Sequence, residues 1–204
     1  MSDNAVVHIV DDDEAARQSL AFLLSTAGMA VRLYPSATAF LDAIADMQPG
    51  CLITDVRMPD MTGIELLKTL KAKGRSLPTI VITGHGDIAL AVEAMKAGAL
   101  DFIEKPFEEE AMLTAVQSAK ELATKAGDSV GEDHAAILQR FQSLSTRERQ
   151  VLDGLIAGSP NKVIAHDLGI SPRTVEVYRA NLMAKMEAKS LSHLIRMALL
   201  TPQA

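Results

Sequence analysis

The stretch CLITDVRMPDMTG, residues 51–63, reads as a buried strand that ends in a carboxylate, then a turn, then the start of a helix. Residues 51–54 form a short apolar run of the kind a strand shows when both its faces are covered. Asp55 closes the run. Thr62 stands where a helix wants its N-cap, ahead of a helical pattern over 63–73.

The same strand–turn–helix unit recurs on both sides. Short apolar runs fall at Val6–Val10, Val31–Tyr34, Thr79–Thr83 and Asp101–Glu104. Between them lie helical patterns. Residues 15–27 set Ala16, Leu20, Leu23, Leu24 and Ala27 on one face; Ser36 heads 37–47; Asp87 heads Ile88–Ala97, with Gly98 as the stop; a last pattern covers 108–124. Five strands alternating with five helices predict an α/β fold. It is a five-stranded, doubly wound parallel sheet with right-handed crossovers. Residues 125–133, KAGDSVGED, break the pattern and read as a linker. After His134 the pattern is all α, with four helices expected at 146–157, Asn161–Leu168, 172–186 and Leu191–Leu200. The predicted domains are 1–124, a linker over 125–134, and 135–204.

Composition narrows the function. The chain carries 20 Lys and Arg against 26 Asp and Glu, a net charge of −6. The charge is unevenly spread. Residues 140–204 hold nine basic and five acidic residues, +4, which leaves −10 for residues 1–139. An acidic half joined to a basic half points to nucleic acid for the basic part, although solvated surfaces give the same pattern. No apolar run approaches the ~20 residues of a membrane span. The acidic turn after residue 10 is unlike a signal peptide. Cys51 is the one cysteine, expected as a small buried hydrophobe. These features predict a cytoplasmic protein with no membrane association.

In open parallel sheets, sites form at the carboxyl ends of strands. That rule gathers Asp11, Asp12 and Asp13 after the first strand, Asp55 after the third, Thr83 after the fourth and Lys105-Pro106 after the fifth. Clustered carboxylates repel, and a hard cation with oxygen ligands offsets them; Mg²⁺ suits a site with few carboxylates and a phosphate. A hydroxyl and an ammonium complete a phosphoryl-binding set. Taken singly, each residue has a plainer reading: a helix cap for the aspartates, a strand-end hydroxyl for Thr83, a surface lysine for Lys105.

HIVDDDE, ITDVRMPDMTG, VITGHGD and FIEKPF, in that order and spacing, resemble the receiver domain of two-component response regulators over about residues 5–122. The resemblance implies Asp55 as phosphoacceptor. It implies Mg²⁺ on Asp12, Asp55 and the Arg57 carbonyl, with Asp11 acting through water. Lys105 would pair with the phosphoryl group and be joined to Pro106 by a cis bond. Thr83 would hydrogen-bond a phosphoryl oxygen, and Phe102 would change rotamer in response, sterically, since it lacks a hydroxyl. His85, between Gly84 and Gly86, is expected as an exposed loop residue.

In the basic half, Ser145 heads a helix with Glu148 three residues on; Asn161 is placed to cap the next; Gly169 and Ser171-Pro172 break and restart the chain. Two helices across a short glycine turn make a helix-turn-helix. In 172–186, Val175, Tyr178, Leu182 and Met186 form a core stripe, with Arg173, Glu176, Val177 and Ala180 opposite. The segment resembles the LuxR-type DNA-binding domain over about residues 141–200, with Tyr178 where many relatives have His. By that resemblance 172–186 is the recognition helix, and Glu176, Val177 and Ala180 face base edges. Lys162, Arg173, Thr174, Arg179, Asn181 and Lys185 would meet phosphates or groove edges. Helix Leu191–Leu200 is either plain core or the element that pairs two copies on DNA.

The whole chain resembles the FixJ branch of response regulators. That implies a FixL-type sensor histidine kinase, a homodimer on phosphorylation, double-stranded promoter DNA, RNA polymerase, and activation of nitrogen-fixation or low-oxygen genes. Two rival classes remain. A phosphohydrolase with an aspartyl-phosphate carries a second acid two residues after its nucleophile, where this chain has Arg57, so an enzyme is not expected. A DNA-binding protein with a vestigial receiver is opposed by the intact pocket set.

Overall fold

The computed structural model describes residues 5–75, 77–84, 88–124 and 134–200. Of the described residues, 5–84 and 97–124 make one compact unit built on a sheet, and 88–96 with 134–200 make a second built on helices. In the first, β1 (Val6–Val10), β2 (Val31–Tyr34), β3 (Gly50–Asp55), β4 (Thr79–Thr83) and β5 (Asp101–Glu104) pair in parallel, in the order β2-β1-β3-β4-β5. Along the chain these strands alternate with α1 (Glu14–Thr26), α2 (Ala37–Asp42), α3 (Gly63–Ala72), α4 (Ile88–Ala97) and α5 (Glu109–Thr124).

Alternation along β3 feeds two cores. Cys51 and Ile53 point to one face, packed with Leu20, Leu24, Met112 and Val116. Leu52 points to the other, packed with Phe40, Leu66 and Leu70. Successive strand residues face opposite sides, so a strand covered on both must be apolar throughout, as residues 51–53 are. Cys51 is fully buried.

Most boundaries match the sequence to within a residue. The helix expected over 37–47 is shorter: α2 ends at Asp42 and a 3-10 turn covers Ile44–Asp46, where Asp46 N–H donates to the Ala43 carbonyl at 3.3 Å. Such tightening is common at a helix end, and it leads the chain toward Pro49 and β3. Ala27 is exposed, and Ala21 takes its place in the α1 stripe. The cap role of Asp87, the His85-Gly86 turn and linker residues 125–133 lie outside the described residues.

His8, in the middle of β1, is fully buried. Its Nε2 lies 3.0 Å from the Gln48 carbonyl, so this nitrogen carries the proton and donates; Nδ1, 3.2 Å from the Tyr34 hydroxyl, then accepts. Burial pushes the ring's pKa below its ordinary value, opposed by the Gln48 bond and reinforced by Arg32. The unfolded chain therefore takes up this proton first as pH falls. The neutral ring contributes its full stability above about pH 6.5 and loses it as pH drops through the lower folded value. The urea midpoint of the sheet unit should fall between about pH 7.5 and 5.5; a flat midpoint would contradict a buried neutral ring.

The second unit holds α6 (His134–Gln142), α7 (Thr146–Ile156), α8 (Asn161–Leu168), α9 (Pro172–Lys185) and α10 (Leu191–Leu200). Four helices were expected, and α6 is the addition. Its local signals are weak and tertiary contacts hold it. Ile137 is buried, while Arg149 of α7 donates to the carbonyls of Phe141, Gln142 and Leu144 and stacks 5.6 Å over the Phe141 ring. Ser145 and Glu148 form the reciprocal capping box. Gly169 ends α8 at φ +65°, a left-handed turn glycine takes without strain. Asn161 is not the cap of α8: Pro160 occupies that position without a side-chain bond, and Asn161 is the first helical residue, its amide oxygen already used by Arg179.

Candidate functional site

Strands β1 and β3 are adjacent, so Asp11 and Asp55 leave the sheet side by side. Lys105 comes from beyond β5, two strands away from β3. Its Nζ donates to Asp55 Oδ1 at 2.6 Å and to Asp11 Oδ2 at 3.2 Å. One ammonium thus bridges two carboxylates. Burial by itself would lower the Lys105 pKa, but the hydrogen bonds and negative charges of Asp55 and Asp11 outweigh it and hold the ammonium above its usual range.

Each carboxylate is also fixed from its own loop. Asp55 Oδ2 accepts from the Arg57 N–H at 2.6 Å, and Asp11 Oδ1 from the Asp13 N–H at 2.9 Å. Asp13 in turn caps α1 by accepting from the N–H groups of Ala15 and Ala16. The plainer reading of an acidic strand end, a helix cap, therefore holds for Asp13 alone. Asp12 is exposed and makes no side-chain hydrogen bond to another described residue. Thr83 is buried; its carbonyl accepts from the Lys105 N–H at 2.8 Å, and its hydroxyl has only a long 3.4 Å contact to the Gly84 carbonyl. The Lys105–Pro106 bond is cis. Phe102 is half-buried on β5.

Three residues outside the expected set frame this pocket. Arg17 Nη1 donates to the Asp11 carbonyl at 2.6 Å, holding the loop that bears the acids. Asp60, in the turn after β3, accepts from both the N–H and the hydroxyl of Thr38 at 2.8 Å, tying that turn to the start of α2. Gly63 N–H donates to the Val56 carbonyl at 3.0 Å, and a Cβ here would fall on the Asp55 carbonyl oxygen. Only Gly63 left a trace in sequence, as a glycine directly after a cap.

No three His, Cys, Asp or Glu side chains come together as a metal-ligand group among the described residues. The donors at hand are all oxygens, though, and a cation already sits between two of them, which suits a hard divalent ion rather than a soft one.

In the helical unit, Val175, Leu182 and Met186 are buried and Tyr178 packs against them. The opposite face of α9 shows Arg173, Glu176, Val177, Ala180 and Asn181 to solvent, with Lys162 exposed on α8. Val177 is 55% exposed, a large apolar side chain on a polar face. Thr174 belongs to the Ser171 cap, its N–H 3.1 Å and its hydroxyl 2.8 Å from Ser171 Oγ. Arg179 and Lys185 are engaged within the protein, by Asn161 and Glu148.

Residues 7–117 match the family described as response regulator receiver domain, and residues 142–198 match bacterial regulatory proteins, luxR family. The chain is 58% identical over 193 residues to the transcriptional regulatory protein FixJ of Rhizobium meliloti (strain 1021), covering 95% of this chain and 94% of the relative. It is 43% identical to the response regulator protein TmoT of Ectopseudomonas mendocina, covering 94% and 87%. The crystal structure of full-length FixJ from B. japonicum aligns over 96% of both chains at 51% identity and a TM-score of 0.58. No helix among the described residues is long and apolar enough to cross a membrane.

Proposed function

Because this chain belongs to the two-component response regulators that join a receiver domain to a LuxR-type DNA-binding domain, we propose that it takes a phosphoryl group on Asp55 from a FixL-type sensor histidine kinase. It then pairs with a second copy and binds promoter DNA. Its targets are nitrogen-fixation or low-oxygen genes, which it activates with RNA polymerase, in the cytoplasm. The receiver spans 1–124, the DNA-binding domain 135–204. The family is one of transcription regulators rather than enzymes.

The observation that carries this reading is the Lys105 ammonium bridging Asp55 and Asp11. An Asp55 oxygen attacks phosphorus, the bond from phosphorus to the donor's leaving atom breaks, and an acyl phosphate forms. Lys105 moves from the carboxylate to a phosphoryl oxygen, and the Thr83 hydroxyl, bound only weakly at 3.4 Å, turns to another. Asp12, Asp55, the Arg57 carbonyl and, through water, Asp11 would hold Mg²⁺, which when bound would supply charge neutralisation for the incoming group. The new contacts bias Thr83 and Phe102, and through them the surface that pairs two copies. Paired DNA-binding domains then gain from high effective concentration on adjacent half-sites.

To test it, the protein is treated with acetyl phosphate and Mg²⁺, and intact mass, sedimentation and DNA footprints are recorded. Gain of one phosphoryl group should accompany dimer formation and tighter binding. Equal footprints before and after modification would end this reading.

A further inference from the structure

We infer that Arg179 and Lys185, the two basic side chains flanking the exposed face of α9, are positioning residues of the recognition helix and not ligands of DNA phosphates. The inference rests on the DNA-binding reading above and revises how two of its residues act.

Each cation ties α9 to a different helix. Arg179 Nη1 donates to Asn161 Oδ1 at 2.9 Å, joining the middle of α9 to the first residue of α8. A helix N-terminus repels positive charge. The guanidinium is therefore held there by the amide oxygen and not by the general field of α8. Lys185 Nζ donates to Glu148 Oε2 at 2.7 Å, joining the end of α9 to the first turn of α7. Glu148 is only 4% exposed, and the same oxygen accepts from the N–H and hydroxyl of Ser145 at 2.7 and 2.8 Å. The Lys185 hydrogen bond holds this carboxyl below the usual carboxylate range. Swinging Lys185 out to a phosphate would leave a buried carboxylate without its cation, which is costly.

Lys162 and Arg173 differ. Both are exposed, as Lys185 is, but neither forms an ion pair among the described residues. They are the cations free to release counterions from DNA. Arg179 and Lys185 instead fix the angle and height at which α9 presents Glu176, Val177 and Ala180. Removing a phosphate ligand weakens binding to every sequence and flattens the salt dependence; removing a positioning residue blunts discrimination and leaves the salt dependence intact.

The test uses the full chain, phosphorylated with acetyl phosphate, a duplex selected by the wild type from a random pool, and a scrambled duplex. Affinity is measured across a salt series. For Arg179→Met we expect about 10-fold weaker binding to the selected duplex, from loss of a charged hydrogen bond. Binding to the scrambled duplex and the salt slope should be unchanged. Asn161→Ala should reproduce the loss, the double variant should be no worse than Arg179→Met, and Asn161→Asp should keep wild-type affinity. Glu148→Gln with Lys185→Gln, which strands no charge, should also keep the slope. Lys162→Ala is the contrast, weakening both duplexes and flattening the slope by about 0.9. If Arg179→Met does not fold, Asn161→Ala carries the same reading. Uniform weakening of both duplexes with a flatter slope in Arg179→Met or in the Glu148/Lys185 pair would overturn the inference. So would an Asn161→Ala variant that discriminates normally. A wild type that selects no duplex and shows no salt dependence would instead remove the DNA-binding premise.

Discussion

Asp55→Asn is expected to abolish phosphoryl uptake while leaving the receiver folded. The amide is a poor nucleophile and carries no charge to attract a cation, so no mass gain should appear with acetyl phosphate, and the footprint should stay at its unmodified level. The structural effect should be small, for two opposed reasons. Lys105 loses a 2.6 Å partner, but a third of its side chain is open to water and the attraction is screened. At the same time Asp11 loses a neighbouring negative charge. These changes offset to within about 1 kcal/mol. Urea melts and intact mass spectra of the variant separate the two effects. A variant that still responds to phosphodonor in DNA binding would move the phosphoacceptor role away from this residue.

Gly63→Ala should do the reverse, damaging fold and chemistry together. In an open helical position this exchange stabilises by roughly 0.5–1 kcal/mol. Here the added methyl falls on the Asp55 carbonyl oxygen and against the Thr54 side chain. A backbone oxygen cannot swing aside as a side chain can. Either α3 lifts from β3, breaking the Gly63 N–H bond to Val56, or the end of β3 shifts and carries Asp55 with it. Overpacking of this kind costs about 1–3 kcal/mol, so the sign inverts and the urea midpoint falls. Phosphoryl uptake should slow in the same variant, because Asp55 is held only through its own loop and Lys105. A midpoint equal to or above wild type would show that α3 accommodates the methyl without moving the strand.

What could be read in the sequence divides by range. Thr62 and Ser145 act within four residues, and both cap their helices as the letters suggest, Ser145 reciprocally with Glu148; Thr62 is answered by Glu65 in the same way, a pairing the sequence reading did not include. Lys105 lies 50 residues from Asp55 and 94 from Asp11, yet strand-end positions in a parallel sheet forecast the meeting of all three because topology, not side-chain detail, brings them together. The framing contacts had no such rule. Arg17 on the Asp11 carbonyl, Asp60 on Thr38 and Arg179 on Asn161 each depend on a rotamer and on how two elements pack. Asn161 shows the limit well. As a letter before an apolar helix it is a good cap, but the chain already had Pro160 there, and the amide served a tie to α9 instead. Helix α6 was missed for a related reason: its end is capped by an arginine from the next helix, a signal no local window contains.

The strand order has a consequence for synthesis. Ribosomes deliver β1 and β3 well before β5, so a growing chain exposes two neighbouring acids while the lysine that neutralises them has yet to be made. The last strand closes the sheet and delivers the neutralising charge in one event, which links the moment of folding to the moment at which the molecule first becomes competent to receive a signal.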